Sequence, residues 1–185
     1  MDTGSLLVLS VGLAMDAFAA SICKGLAEKT HSIKNSLSIG LCFGFFQAFM
    51  PVIGFILGRS FASAIEAIDH WIAFFLLLVL GLEMIKESRE NYCEVNHGFD
   101  FFSLSKMGLA TSIDALAVGV GLAFLNINIV RSASTIGIVT VLLSMLGFKI
   151  GSKLGMKSKQ VAELVGGLIL IGLGTKILIE HLFFH

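Results

Sequence analysis

Residues 107–130 read MGLATSIDALAVGVGLAFLNINIV, a tract of 24 residues whose single charge is Asp114. As a helix it is long enough to cross a hydrocarbon core about 30 Å thick. Gly4–Cys23 has the same character, with Asp16 as its only charge. Asn35–Gly58 and Ser132–Phe148 carry no charge at all. Asp69–Lys86 and Glu163–Ile179 are apolar in the middle and ionisable toward their ends. The tracts are continuous and do not alternate apolar with polar residues, which excludes a β-barrel. They predict an all-α integral membrane protein with six transmembrane helices, approximately 4–25, 36–58, 67–87, 104–125, 133–153 and 161–182.

Composition agrees. Of 185 residues 56% are hydrophobic and 14% are Asp, Glu, Lys or Arg, against roughly 25% charged in a soluble domain. The mean hydropathy is +0.91. These values exclude a secreted disulfide scaffold, a nucleic-acid binder with a basic face and most cytosolic enzyme folds. Acidic and basic residues balance at 13 each, so their placement carries the information. Ten basic residues fall in the turns after helices one, three and five: Lys24, Lys29, Lys34, Lys86, Arg89, Lys106, Lys149, Lys153, Lys157 and Lys159. Only Arg59, Arg131 and Lys176 fall on the other face. The positive-inside rule then places those three loops in the cytoplasm and both termini outside. Cys23, Cys42 and Cys93 are odd in number, share no CxxC spacing and lie on the cytoplasmic side, where thiols are expected to stay reduced.

The chain repeats itself. Met15-Asp16-Ala17-Phe18-Ala19 matches Ile113-Asp114-Ala115-Leu116-Ala117 at a spacing of 98. Gly40, Gln47, Gly54 and Gly58 stand 97 residues before Gly137, Ser144, Gly151 and Gly155, and Gly81 and Glu87 stand 93 before Gly174 and Glu180. Residues 1–87 form one three-helix repeat and 104–185 the other, joined by a cytoplasmic polar loop at 88–103. Three helices per repeat is odd, so the second copy enters the membrane from the opposite side. Inverted repeats of this kind place a transport site near the midplane where the halves meet.

Asp16 and Asp114 lie near the middle of their predicted helices. A carboxylate there costs about 2.5–3.5 kcal/mol on insertion scales. No Lys or Arg is expected at that depth, because Lys24, Lys106 and Lys149 sit near helix ends and would reach the interface. The carboxyls are therefore protonated, hydrated or neutralised by a cation. Gly12, Ala17, Ala19 and Ala20 around Asp16, and Ala110, Ala115, Ala117 and Gly121 around Asp114, allow close helix approach. Thr111, Gln47 and Ser144 add hydroxyl and amide oxygens. An all-oxygen set of two carboxylates with neutral donors suits a hard divalent cation such as Mn²⁺, Mg²⁺ or Ca²⁺. His70 and Glu163 occupy corresponding depths of helices three and six and are expected as gating or interfacial groups. Gly12, Gly54, Gly58, Gly151 and Gly155 are expected as packing faces.

At Met15-Asp16-Ala17-Phe18-Ala19-Ala20-Ser21, at Phe43-Gly44-Phe45-Phe46-Gln47…Pro51…Gly54, and at Ala110-Thr111-Ser112-Ile113-Asp114-Ala115-Leu116-Ala117-Val118-Gly119, the sequence resembles the putative manganese efflux pump family, MntP. The resemblance runs over essentially the whole chain. It implies an inner-membrane exporter of Mn²⁺, with Mn²⁺ as transported substrate, no permanently bound cofactor, and Asp16 and Asp114 as the central residues. Gln or Glu stands at position 47 in that family, and Gln leaves the site one charge lighter. The expected partners are the ion and the lipid bilayer, with a homodimer as an open arrangement and no nucleic acid. The competing readings are an exporter of another solute or cation, which lacks a deep Lys or Arg for a substrate carboxylate, and an intramembrane aspartyl protease, whose GxGD motif is absent at both aspartates.

Overall fold

A computed structural model describes residues 3–28, 32–61, 69–89, 101–124, 127–154 and 156–184, and every regular element among them is an α-helix. In chain order these are α1 (Thr3–Glu28), α2 (Ile33–Phe61), α3 (Asp69–Glu87), α4 (Phe101–Ala110), α5 (Ile113–Phe124), α6 (Ile129–Leu154) and α7 (Met156–Phe184). Thr3–Ala27, Ile33–Ser60 and Ile129–Lys153 are each long and apolar enough to cross a membrane. The pair Phe102–Ala110 and Ile113–Phe124 makes a fourth span if it is counted as one, bent by 44° at its break. Five of the six expected tracts each form one helix. The expected continuous helix over 104–125 is the exception, divided at Thr111–Ser112. The expected polar loop also ends earlier, because residues 101–103 already belong to α4.

The outside is apolar, and the interior holds fully buried polar side chains beside its apolar clusters. Phe45, Ile56, Val79, Leu82, Val130 and Ile138 are exposed, while Ser10, Ser21, Gln47, Ser112, Ser132, Thr140 and Ser144 are fully buried. Ser10, Ser21 and Thr140 return their hydroxyl protons to the carbonyls of Leu6, Ala17 and Ile136, four residues back, so they cost the interior nothing in unmet hydrogen bonds. The protein is accordingly a multi-pass, all-α membrane protein.

Its major interfaces join the first three helices to the last four: α1 packs on α6 and α7, α2 on α5 and α6, and α3 on α7. Glycines set these approaches. Gly147 and Gly151 on α6 seat the Phe18 and Ile22 carbonyls of α1, and Gly54 on α2 seats the Leu116 carbonyl of α5. Gly58 packs on Val120 and Ala123, and Gly12 on Leu170 of α7. Gly155 lies outside the described residues. At the N-terminal end of α1, Arg131 donates to Thr3 Oγ1 (2.7 Å) and Lys176 to Ser5 Oγ (2.9 Å), tying the start of α1 to α6 and α7.

Two further expectations fail. Lys24 does not reach the interface: it is 2% exposed, because Gly25 beside it packs on the Phe148 carbonyl and draws the end of α1 into α6. Cys42 has a free thiol, but Cys23 is disulfide-bonded, so the thiols are not all reduced.

Candidate cation site at a helix break

The break explains how Asp114 is presented. Thr111 donates its hydroxyl to the carbonyls of Met107 (3.0 Å) and Gly108 (3.3 Å). Ser112 donates its N–H to Leu109 (3.2 Å), only three residues back, and its own carbonyl then receives the N–H of Leu116 (3.2 Å). Helix α4 thus closes on a tight turn and α5 opens with Ser112 as its N-cap, a position that favours serine. Asp114 falls in the first turn of α5. Its carboxyl accepts the N–H of Ala115 there, and the positive end of the α5 dipole favours negative charge at that point.

The Asp16 carboxyl, from the middle of α1, comes within hydrogen-bonding reach of the Asp114 carboxyl. Two carboxylates this close repel unless a proton or a cation lies between them. Asp114 Oδ1 is buried without a hydrogen-bond partner. Gln47 on α2 is fully buried and donates Nε2–H to the Leu13 carbonyl (2.9 Å), one turn from Asp16. Its Oε1 is buried with no partner. Ser144 Oγ on α6 is likewise buried with none. The seating of Phe18 on Gly147 puts Ser144, three residues earlier on the parallel helix, level with Met15. Three polar oxygens of the predicted set are therefore held in the interior with accepting capacity to spare, as a hard cation requires.

The predicted residues do not all converge. The Thr111 hydroxyl gives its proton to the last turn of α4. Glu163 is 3% exposed and lies one turn along α7 from Gly166, which abuts Met15. His70 starts α3, but its side chain lies outside the described residues. Among the described residues no three His, Cys, Asp or Glu side chains cluster at metal-ligand range. Sequence reading missed Glu83. It is an exposed residue of α3 whose negative charge acts on Asp114, and its signal was a lone acid among Gly81, Leu82, Met84 and Ile85.

A family model described as "Mntp: Putative manganese efflux pump" matches residues 30–178. The chain belongs to the MntP family. Curated MntP relatives extend the match over the remaining residues, Asp16 included. The protein named "Putative manganese efflux pump MntP" of Desulfitobacterium hafniense is 56% identical over 187 residues, covering 100% of this chain and 98% of its own length. The proteins of that name from Acetivibrio thermocellus and Mannheimia succiniciproducens are 53% and 51% identical, covering 98% and 100% of this chain and 93% and 100% of their own lengths. No solved structure matches this MntP chain.

Proposed function

We propose that this chain is an inner-membrane secondary transporter that exports Mn²⁺ from the cytoplasm. The ion is held near the midplane between Asp16 and Asp114, with the Gln47 and Ser144 oxygens completing its shell, and a proton replaces it on the carboxyl pair after release. Residues 1–87 and 104–185 act as two inverted three-helix halves, with both termini outside. The observation that carries this reading is the meeting of the two aspartates, one from each half, at a helix N-terminus in the interior of the bundle. The interleaved packing supports the inverted arrangement, since α1 on α6 and α2 on α5 are equivalent interfaces under exchange of the halves. The names of the relatives supply manganese as the ion, and the oxygen donors suit it.

The test is ion content and flux. Expression in a manganese-sensitive host is expected to lower cell manganese and restore growth in excess manganese. Purified protein in vesicles is expected to carry Mn²⁺ at least tenfold faster than Zn²⁺, because the shell lacks the thiolate and imidazole donors that zinc prefers. Equal fluxes of the two ions would remove the hard-ion argument, and no flux of either would remove the transport reading.

A further inference from the structure

The two halves carry the same motif in two conformations. The spacing of 98 that pairs Asp16 with Asp114 also pairs Leu13–Ala14 with Thr111–Ser112. At Thr111–Ser112 the fourth span is broken and bent by 44°. At Leu13–Ala14 α1 runs straight through as part of a 26-residue helix. The difference coincides with one side chain. Gln47 reaches across from α2 and donates to the Leu13 carbonyl at 2.9 Å, on the very turn where the mirrored helix breaks. The residue that mirrors Gln47 is Ser144, whose shorter side chain makes no hydrogen bond at all. Where the long amide is present the helix is whole, and where serine replaces it the helix is parted.

We propose that Leu13–Ala14 is the second hinge of the transport cycle and that Gln47 is the latch that keeps it straight. This rests on the inverted-repeat reading above and deepens it. In an inverted repeat, the opposite-facing state follows when each half takes the conformation of the other. Helix α1 then bends at Leu13–Ala14 and its outer part, Thr3–Gly12, leaves α7 much as α4 departs from the line of α5. The contacts that must part are those of Gly12 with Leu170 and of Ser5 with Lys176. The ion itself provides the trigger. A hard cation on Asp16 and Asp114 draws Gln47 Oε1 and the carbonyl oxygens of α1 toward itself, and these are ligands it accepts readily. The Gln47 amide then turns from latch to ligand, the outer part of α1 swings, and the ion faces the outside. Gln47 is thus a positioning residue that acts through α1 as well as a donor to the ion.

The experiment clamps the outer part of α1 to α7. In full-length protein carrying Cys23→Ser, Cys42→Ser and Cys93→Ser, we would add Ser5→Cys and Lys176→Cys, reconstitute into vesicles and join the pair with a short bis-thiol reagent. Bridging is expected to lower Mn²⁺ flux at least tenfold, and reduction to restore it; each single cysteine variant, treated alike, should keep its flux. A bridged protein that carries manganese at the unbridged rate would overturn the hinge. The latch is read separately, without any divalent ion. Gln47→Met keeps the bulk and removes the donor, and it is expected to move the straight-to-bent equilibrium about fivefold toward the bent form, the shift that losing one ordinary hydrogen bond gives, and so to lower the yield of bridging after a brief exposure to the reagent. An unchanged yield would overturn the latch, whether or not that variant transports. If the unbridged parent moved no ion, the export reading would fall, while ion-free bridging would still decide the latch.

Discussion

Asp16→Asn and Asp114→Asn are each expected to abolish manganese export while the protein accumulates in the membrane at its normal level. Asn keeps the size of the side chain and its capacity for hydrogen bonding, and removes only the charge. Between unit charges about 4 Å apart at an effective dielectric constant near 20, the attraction is about 4 kcal/mol, and a divalent ion doubles it. Losing even about 4 kcal/mol weakens binding by roughly a factor of 10³. Neither neighbour can compensate. Gln47 and Ser144 are neutral, and Glu83 lies exposed on α3 without joining a metal-range cluster. Folding moves the other way, since an amide is cheaper than a carboxylate at the centre of a bilayer. Cell manganese content, measured beside membrane protein level, separates this outcome from its rival. If the two acids only hold helices together as protonated hydrogen-bonding partners, Asn serves as well and both variants export normally. Because the carboxyls act as one site, the double variant should be no worse than either single one.

How far the sequence carried this site can be judged residue by residue. The aspartates were legible because an ionisable group inside an apolar tract has few reasons to be there, and their constant spacing tied one to the other. That they touch was not legible, since it depends on α1 and α5 converging in three dimensions. The break at Thr111–Ser112 was hidden for a different reason. Serine and threonine inside apolar helices usually hydrogen-bond one turn back and leave the helix intact, as Ser10, Ser21 and Thr140 do here. At Thr111 that same bond is followed by an N-cap, and Gly108 is packed on the Phe46 ring of α2. The pattern Ser112-Ile113-Asp114, a capping residue followed by an acid in the first turn, was the available clue. Lys24 was misplaced because a lysine near a helix end ordinarily reaches for water. Here the glycine beside it lets α6 cover that end. The packing role of Gly54 and Gly151 was legible from their spacing alone, and the structure adds which backbone atoms they admit.

Those two glycines carry the second large effect, this time on stability. Gly54→Ala and Gly151→Ala are each expected to leave little folded protein, whereas Gly172→Ala should be harmless. A Cβ on Gly54 would fall on the Leu116 carbonyl oxygen, with the Leu116 carbonyl carbon at 2.9 Å and the Val120 nitrogen at 3.0 Å. A Cβ on Gly151 would fall on the Ile22 carbonyl oxygen, with the Ile22 carbonyl carbon at 2.7 Å. These neighbours are backbone atoms of helices and cannot rotate aside, so the helices must separate. Inserting one methylene into a packed core costs about 1–3 kcal/mol where side chains can adjust, and more is expected where they cannot. Gly172 has nothing within 4 Å of the same position. Its replacement adds no collision and gains the preference of alanine over glycine in a helix, about 1 kcal/mol in peptides. Thermal unfolding in detergent, with the folded fraction from size exclusion, would read all three. The comparison between Gly54 and Gly151 says more than either alone. They mirror each other at 97 residues' separation, one where α2 meets α5 and the other where α6 meets α1. Similar losses would mean that the two interfaces bear similar loads, as exchange of conformation between the halves requires. A severe loss at Gly151 with a mild one at Gly54 would instead make the α2–α5 interface the compliant one, beside the helix that is already broken.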